Sequence, residues 1–433
     1  MARTKLYPPS VDPGFPELGE TPPGWSRTTF GDVLEAIERP EKLDPDRSYQ
    51  LVTAKRSRGG IVSRGSLLGR EVLTKTQFRI KEGDFLISRR QIIHGACGVV
   101  PPELDNAVVS NEYSSLRTRP QLLMEFLRHY SHTPYFQRTC FHSSHGVDVE
   151  KMIFKIAQWL KCPVDVPPST EQKKIAAILS SVDDAIQTTQ AVVDQLGVVK
   201  KALMAELLTR GIPGRHTKFK QTEIGEVPEG WQILPVGQAG AVDSGKAKDP
   251  RSIDKPRPYL RVANVFDGRI QTDDVLEMGF SDAEFRRFEL QPGDVLLNEG
   301  QSIELVGRCS MYRGELPYPC AFQNALIRFR STGAVCADYA EQYFRWCQHA
   351  GRFAEIATQT TSIAHLGLTR FASMIMAIPS VEEQQEIAAA LAHIDHRFAV
   401  EKASRSLIDE LKSALMSALL SGDLRVTPDE LPT

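Results

Sequence analysis

Four sets of reactive side chains stand out in this 433-residue chain, and none completes a catalytic site. Residues 240–247 read GAVDSGKA, close to a phosphate-binding loop. Such a loop needs Ser or Thr after its lysine to hold magnesium, with a helix opening there. Here Ala247 follows Lys246, and Asp249-Pro250 opposes a helix. His129, His132, Cys140, His142 and His145 offer zinc-type ligands in one short segment. Their spacing fits no common zinc pattern and the second half has no counterpart, so ordinary polar surface or turn is expected. Asp84 and Asp294 sit in Gly-Asp pairs without the Glu-x-Lys of a metal-dependent nuclease, and each reads as a turn before a buried strand. His393 and His396 flank Asp395 on a predicted helix and read as a solvated or interface face. No Gly-x-Ser-x-Gly elbow occurs, nor the Asn/Asp-Pro-Pro-aromatic segment of an amino methyltransferase. The expectation is no catalytic residue and no metal ligand.

Basic segments offer a different chemistry. Residues 55–70 (KRSRGGIVSRGSLLGR) carry Lys55, Arg56, Arg58, Arg64 and Arg70 with no acid, and their glycines let backbone approach a partner. Arg89 and Arg90 follow the first Gly-Asp strand. In the second half, Lys246, Lys248, Arg251, Lys255, Arg257 and Arg261 fall close together, diluted by Asp249 and Asp254. Such groups neutralise phosphates, and arginine also reads guanine edges. As groups they predict nucleic-acid contact. The net charge of −2 gives no global attraction, so contact must be local. Residues 1–165 carry 23 Lys+Arg against 19 Asp+Glu, while residues 379–433 carry 5 against 10.

These segments need a frame, and the frame is duplicated. ELGETPPGW (17–25) returns as EIGEVPEGW (223–231), a shift of 206. PPSTEQKKIAAIL (167–179) returns as PSVEEQQEIAAAL (379–391), a shift of 212, and KEGDFLIS (81–88) as QPGDVLLN (291–298), a shift of 210. The drift implies loops of different length on one framework, so a whole domain plus helix is doubled. Both domains read as mixed α/β. Strands are predicted at Tyr49–Ala54, Phe85–Ser88 and Cys97–Val100, with a helix at 120–138 broken near Pro134. The second set is Tyr259–Val262, Val295–Leu297 and Arg308–Tyr312, with a helix at 337–357.

The long helical segments carry a seam at steps of four and three. In the first it runs Ile175, Leu179, Val182, Ile186, Thr189, Val193, Leu196, Lys200, Leu203, Leu207. In the second it runs Ile387, Leu391, Ile394, Phe398, Glu401, Arg405, Ile408, Lys412, Leu415, Leu419. Gly211 and Gly422 stop them. The chain must pass through a whole domain between the helices, so an antiparallel coiled coil is expected. Leucines near one helix's end should then meet isoleucines near the other's start.

The predicted organisation is an N-terminal extension (1–20), a domain (21–166), a helix (167–212), a second domain (213–378), a second helix (379–425) and a tail (426–433). The fold class is α+β with an internal pseudo-two-fold repeat. The proline-rich lead-in lacks the apolar core of a secretion signal. Seven cysteines without a Cys-x-x-Cys pair suit a reducing compartment, so a cytoplasmic protein without membrane contact is expected.

These features resemble the specificity subunit of type I restriction–modification systems. The resemblance spans essentially the whole chain. It rests on PSTEQKKIAAIL (168–179) and VEEQQEIAAAL (381–391), Gly24-Trp25 and Gly230-Trp231, the Gly-Asp strands, and YLRVANVFDGRI (259–270) with FQNAL (322–326). SNEYSSL (110–116) is a degraded FQNAL. The resemblance implies two target recognition domains, each reading half of a split sequence in double-stranded DNA, with the coiled coil as ruler and docking surface. It implies two methyltransferase subunits and restriction/translocase subunits as partners, which would hold S-adenosylmethionine, ATP and magnesium; none is expected on this chain. A non-enzymatic protein–protein scaffold with two duplicated binding modules is the alternative from another class.

Overall fold

The computed structural model describes residues 15–360 and 362–426. Most of the expected extension and tail lies outside them. Two compact units form: one runs to Thr188 and resumes at Arg405, the other spans Thr189–Ser404.

Each unit is built on one antiparallel four-stranded sheet. In the first the order is Leu34–Ile37, Tyr113–Thr118, Phe85–Ser88, Cys97–Val99. In the second it is Gly240–Ser244, Leu326–Ser331, Val295–Asn298, Cys309–Met311. The Gly-Asp strands are fully buried, so they read as unbroken apolar runs. Side chains still alternate between faces. Phe85 and Ile87 enter one core and Leu86 another; Val295 and Leu297 part from Leu296 in the same way. A two-stranded pair closes each domain, Ser26–Thr29 with Pro163–Val166 and Gln232–Pro235 with Ile375–Ile378.

The units differ in their second sheet. The first has five strands, including the long hairpin Ser48–Ala54/Ile61–Leu68. The second has three, Leu276–Gly279, Pro256–Leu260 and Ala321–Phe322. The strand expected at Tyr259–Val262 stops at Leu260, because Val262–Asn264 turns into a 3-10 helix and Asn264 caps the bend by accepting from the Arg261 backbone N–H. The segment 120–138 splits into helices Met124–Tyr130 and Pro134–His142, with Thr133 capping the second. The segment 337–357 splits at Gly351, whose φ of 77° is left-handed, into Ala337–His349 and Arg352–Ile356.

The long helices are Ser169–Thr209 and Val381–Ser421, 41 residues each, or about 60 Å at 1.5 Å per residue. Gly211 (φ 78°) and Gly422 (φ 80°) end them in the left-handed region. Within each unit their segments run antiparallel. In the first, Ile175 and Leu179 share a core with Leu415, Leu419 and Leu420. In the second, Leu203, Leu207 and Leu208 share one with Ile387 and Leu391. The remaining apolar seam positions, Val182, Ile186, Val193, Leu196, Ile394, Phe398 and Ile408, are buried or half-buried. Lysines enter the seam where an acid meets them: Lys412 Nζ lies 2.5 Å from Asp183 in the first unit, and Lys200 Nζ 2.6 Å from Asp395 in the second. Glu401 pairs with Arg397 on its own helix. No helix among the described residues is long and apolar enough to cross a membrane.

Candidate nucleic-acid interface

The Gly-Asp carboxylates are structural. Asp84 is fully buried; it accepts from Arg39 at 2.6 and 3.0 Å, from Arg117 at 2.9 Å and from the Lys81 backbone N–H at 2.8 Å. Asp294 accepts twice from Arg330 at 2.6 Å and from the Gln291 N–H at 2.8 Å. Arginine forks and a turn N–H consume their lone pairs. The histidine-rich segment is dispersed: His129 is buried against Ser180 and Asp183, at 3.1 and 3.9 Å, while His142 lies tilted against Phe15 and edge-on to Phe141. No group of three or more such ligands forms among the described residues. His393 and His396 are exposed.

In the first unit the hairpin turn carries Lys55, Arg56 and Arg58. Ser57 and Arg58 both adopt positive φ, 55° and 62°, an uncommon state for residues with a Cβ. The turn is pinned by Ser57 N–H donating to His94 O (2.7 Å) and Arg58 N–H to Gly95 O (3.2 Å). Arg56 donates to Gln91 at 2.8 Å and to Glu150 at 3.0 Å. Glu150, remote in sequence, also reaches His94. Arg58 lines a 730 Å³ cavity with Trp25, Tyr130, His132, Asp165 and Leu420. It is open by area, yet crowding by protein atoms desolvates the guanidinium and holds its pKa below the ordinary value. Burial, assisted by Arg58, pushes His132 down to about 4. Arg58 therefore turns toward the cavity rather than extending the outer face. Lys55 and Arg64 are exposed and without an ion pair among the described residues. Arg70 pairs with Asp46 at the hairpin's opposite end, roughly 20 Å away at the rise of a seven-residue strand. Arg89 donates to Asn111 O at 3.1 Å, and Arg90 is forked on Glu112.

The second unit sorts its cations more sharply. Lys246 Nζ sits 2.6 Å from Glu284 and holds that carboxyl down at about 2. Arg257 pairs with Asp282 while lying 4.4 Å over the Phe285 ring, and Arg261 pairs with Asp274. Lys248, Arg251 and Lys255 are exposed and carry no ion pair among the described residues. They share one loop whose tip, Ile253, is fully exposed. The loop is shaped by Asp249 accepting from the Arg251 N–H and Asp254 from the Ser252 hydroxyl. The structure thus divides the second basic segment into three cations bound to neighbours and three left to solvent.

Other functional side chains were present in quoted motifs without a legible role. Gln172 donates to Pro167 O and Gln121 O, and accepts from Leu123 N–H; Gln384 does the same toward Pro379, Ala334 and Cys336. Each glutamine bolts the start of a long helix to its domain. Their recurrence at one shift was the available signal.

A family model described as the type I restriction modification DNA specificity domain matches residues 22–196. The specificity subunit of the type I restriction enzyme MjaVIII of Methanocaldococcus jannaschii is 26% identical over 65% of this chain and 66% of its own length. The putative MjaX specificity subunit of the same organism is 24% identical over 95% of this chain and 96% of its own. In fold, a chain from a solved type I restriction–modification system is similar at a TM-score of 0.59 and 17% identity, covering 94% of this chain and all of the other. Family model and relatives agree with the duplicated architecture, and the chain is similar to the specificity subunits of type I restriction–modification systems, whose fold it shares.

Proposed function

We propose that this chain is the non-catalytic sequence reader of a type I restriction–modification complex. Each mixed domain reads one half of a bipartite duplex target, and the long helix pair sets the half-site spacing and docks two methyltransferase subunits. S-adenosylmethionine, ATP and magnesium belong to partner subunits, restriction/translocase subunits among them, and the complex works in the cytoplasm. One observation carries the reading: the same four-stranded sheet order recurs in both units, each domain seated on its own stretch of antiparallel helix. Two readers on one spacer select half-sites at a set distance and phase, and linkage raises affinity through effective concentration. Divergence is concentrated in the second sheets and the basic loops, where two readers of different sequences must differ. The helical segments are balanced or acidic, which suits protein docking better than phosphate.

The test is a domain exchange. Residues 21–166 are replaced by the corresponding domain of another family member, and the host genome is mapped by methylation-sensitive sequencing. One half of the methylated motif should change and the other persist. A motif altered in both halves, or in neither, refutes modular reading. A wild-type complex without affinity for duplex DNA at low salt would favour the protein–protein scaffold.

A further inference from the structure

Arg345 is nearly inaccessible, at 5% exposure, on the helix Ala337–His349. Its guanidinium joins two acids from different parts of the second unit. Nε donates to Asp267 at 2.7 Å, and Nη1 and Nη2 reach Asp395 on the second long helix. Asp395 also accepts from Gln342 at 3.2 Å and faces Lys200 of the first long helix at 2.6 Å. Asp267 is held from its other side by His349 at 3.1 Å. Asp267 belongs to the YLRVANVFDGRI segment, on the turn between Val265–Phe266 and Arg269–Ile270. The neighbouring Gly268 has φ of 65°, and a Cβ there would lie 2.7 Å from Arg345 Cζ. Burial would raise both carboxyls, yet the bonds from His349, Arg345 and Lys200 hold them below their ordinary values. The result is a continuous run of ionic hydrogen bonds from one long helix, through the other, into the recognition domain.

Among the described residues the first unit repeats it only in part: Asp183 keeps the helix-pair bond to Lys412 and, at 3.9 Å, meets the buried His129, with no arginine fork there between helix and domain. The shift that carries strand Tyr113–Thr118 onto its match Leu326–Ser331 pairs Arg345 with His132, a histidine that burial keeps neutral near pH 7.

We propose that Arg345 is a positioning residue that locks the second recognition domain at one angle to the helix pair, and that this lock is what makes the complex intolerant of a changed gap between half-sites. The inference rests on the two-reader function proposed above. One base pair added to the gap moves a half-site by about 3.4 Å and turns it by about 34°. A hinge of packed apolar side chains could absorb part of that by sliding, whereas a forked arginine between two fixed carboxylates cannot without breaking charged bonds.

The experiment uses the assembled complex and duplexes carrying the host's own methylated bipartite motif, with the native gap or one base pair more or fewer. Arg345→Met leaves Asp395 with Lys200 and Asp267 with His349, so each acid keeps a partner and the unit should fold. Gly268→Ala keeps every charge and displaces the guanidinium. The wild type should prefer the native gap by about tenfold or more, the scale of one mismatched position. Both variants should lose most of that preference while binding the native-gap duplex with an unchanged salt slope and melting as folded proteins. Folded variants with the wild-type gap preference would overturn the lock and leave the two-reader function standing. A wild type indifferent to gap length would bring down the two-reader function and the lock together.

Discussion

The indole N–H of Trp25 donates to Glu171 over 3.0 Å, and the same bond recurs between Trp231 and Glu383 over 3.2 Å. The tryptophans are related by a shift of 206 and the glutamates by a shift of 212, so loop changes have been absorbed around a retained contact. In both units the segment just past a long helix's end returns to the same glutamate: Arg425 donates to Glu171, and Ile212 N–H to Glu383. Each glutamate ties a domain, a helix start and a helix end together.

Glu383→Ala should destabilise the second unit by about 3 kcal/mol, since it strands a buried indole N–H, a backbone N–H and His216. Urea denaturation followed by tryptophan fluorescence measures this. A loss below about 1 kcal/mol would show that water replaces the carboxylate.

Lys412 with Asp183, and Lys200 with Asp395, are one pair repeated at the helix shift of 212. In each unit the two should couple by about 1–3 kcal/mol in a double-mutant cycle with Lys→Met and Asp→Asn. Single changes should cost more than the paired replacement, because a lone half-buried charge is worse than none. Additive singles would contradict the geometry.

Acid should weaken the first unit through His129. Its environment lowers it from 6.5 to about 4, burial being the main cause. The unfolded chain therefore binds a proton between those values that the folded chain refuses. The contribution is complete above about 6.5 and is lost as pH falls toward 4, by up to about 1.4 kcal/mol per pH unit. His132 acts in the same direction. Denaturation midpoints at pH 7, 5.5 and 4.5 should fall for the wild type and fall less for His129→Gln.

Lys248, Arg251 and Lys255, exposed and unpaired among the described residues, should bind phosphate. Replacing all three with Ala should lower the slope of log K against log salt by about 2–3. Arg257→Ala, which removes a cation already spent on Asp282 and Phe285, should lower stability with little effect on that slope. Equal slopes for both variants would remove the loop from the interface.

The duplication, the long helices and their antiparallel seam were legible in residue order, because each is a periodic pattern. An apolar stripe at steps of three and four has few ways to be buried, and a doubled motif has few ways to arise. The Gly-Asp turns were legible for the same local reason. The fate of individual charges was not. Residues 55–70 hold no acid, yet Glu150 and Asp46 come to Arg56 and Arg70 from elsewhere in the chain. Arg345 sits within an unremarkable helical stretch, and its partners lie 78 and 50 residues away. An ion pair depends on separation in space, which falls within a few ångströms or does not. Sequence spacing says nothing about it until strands and helices have packed.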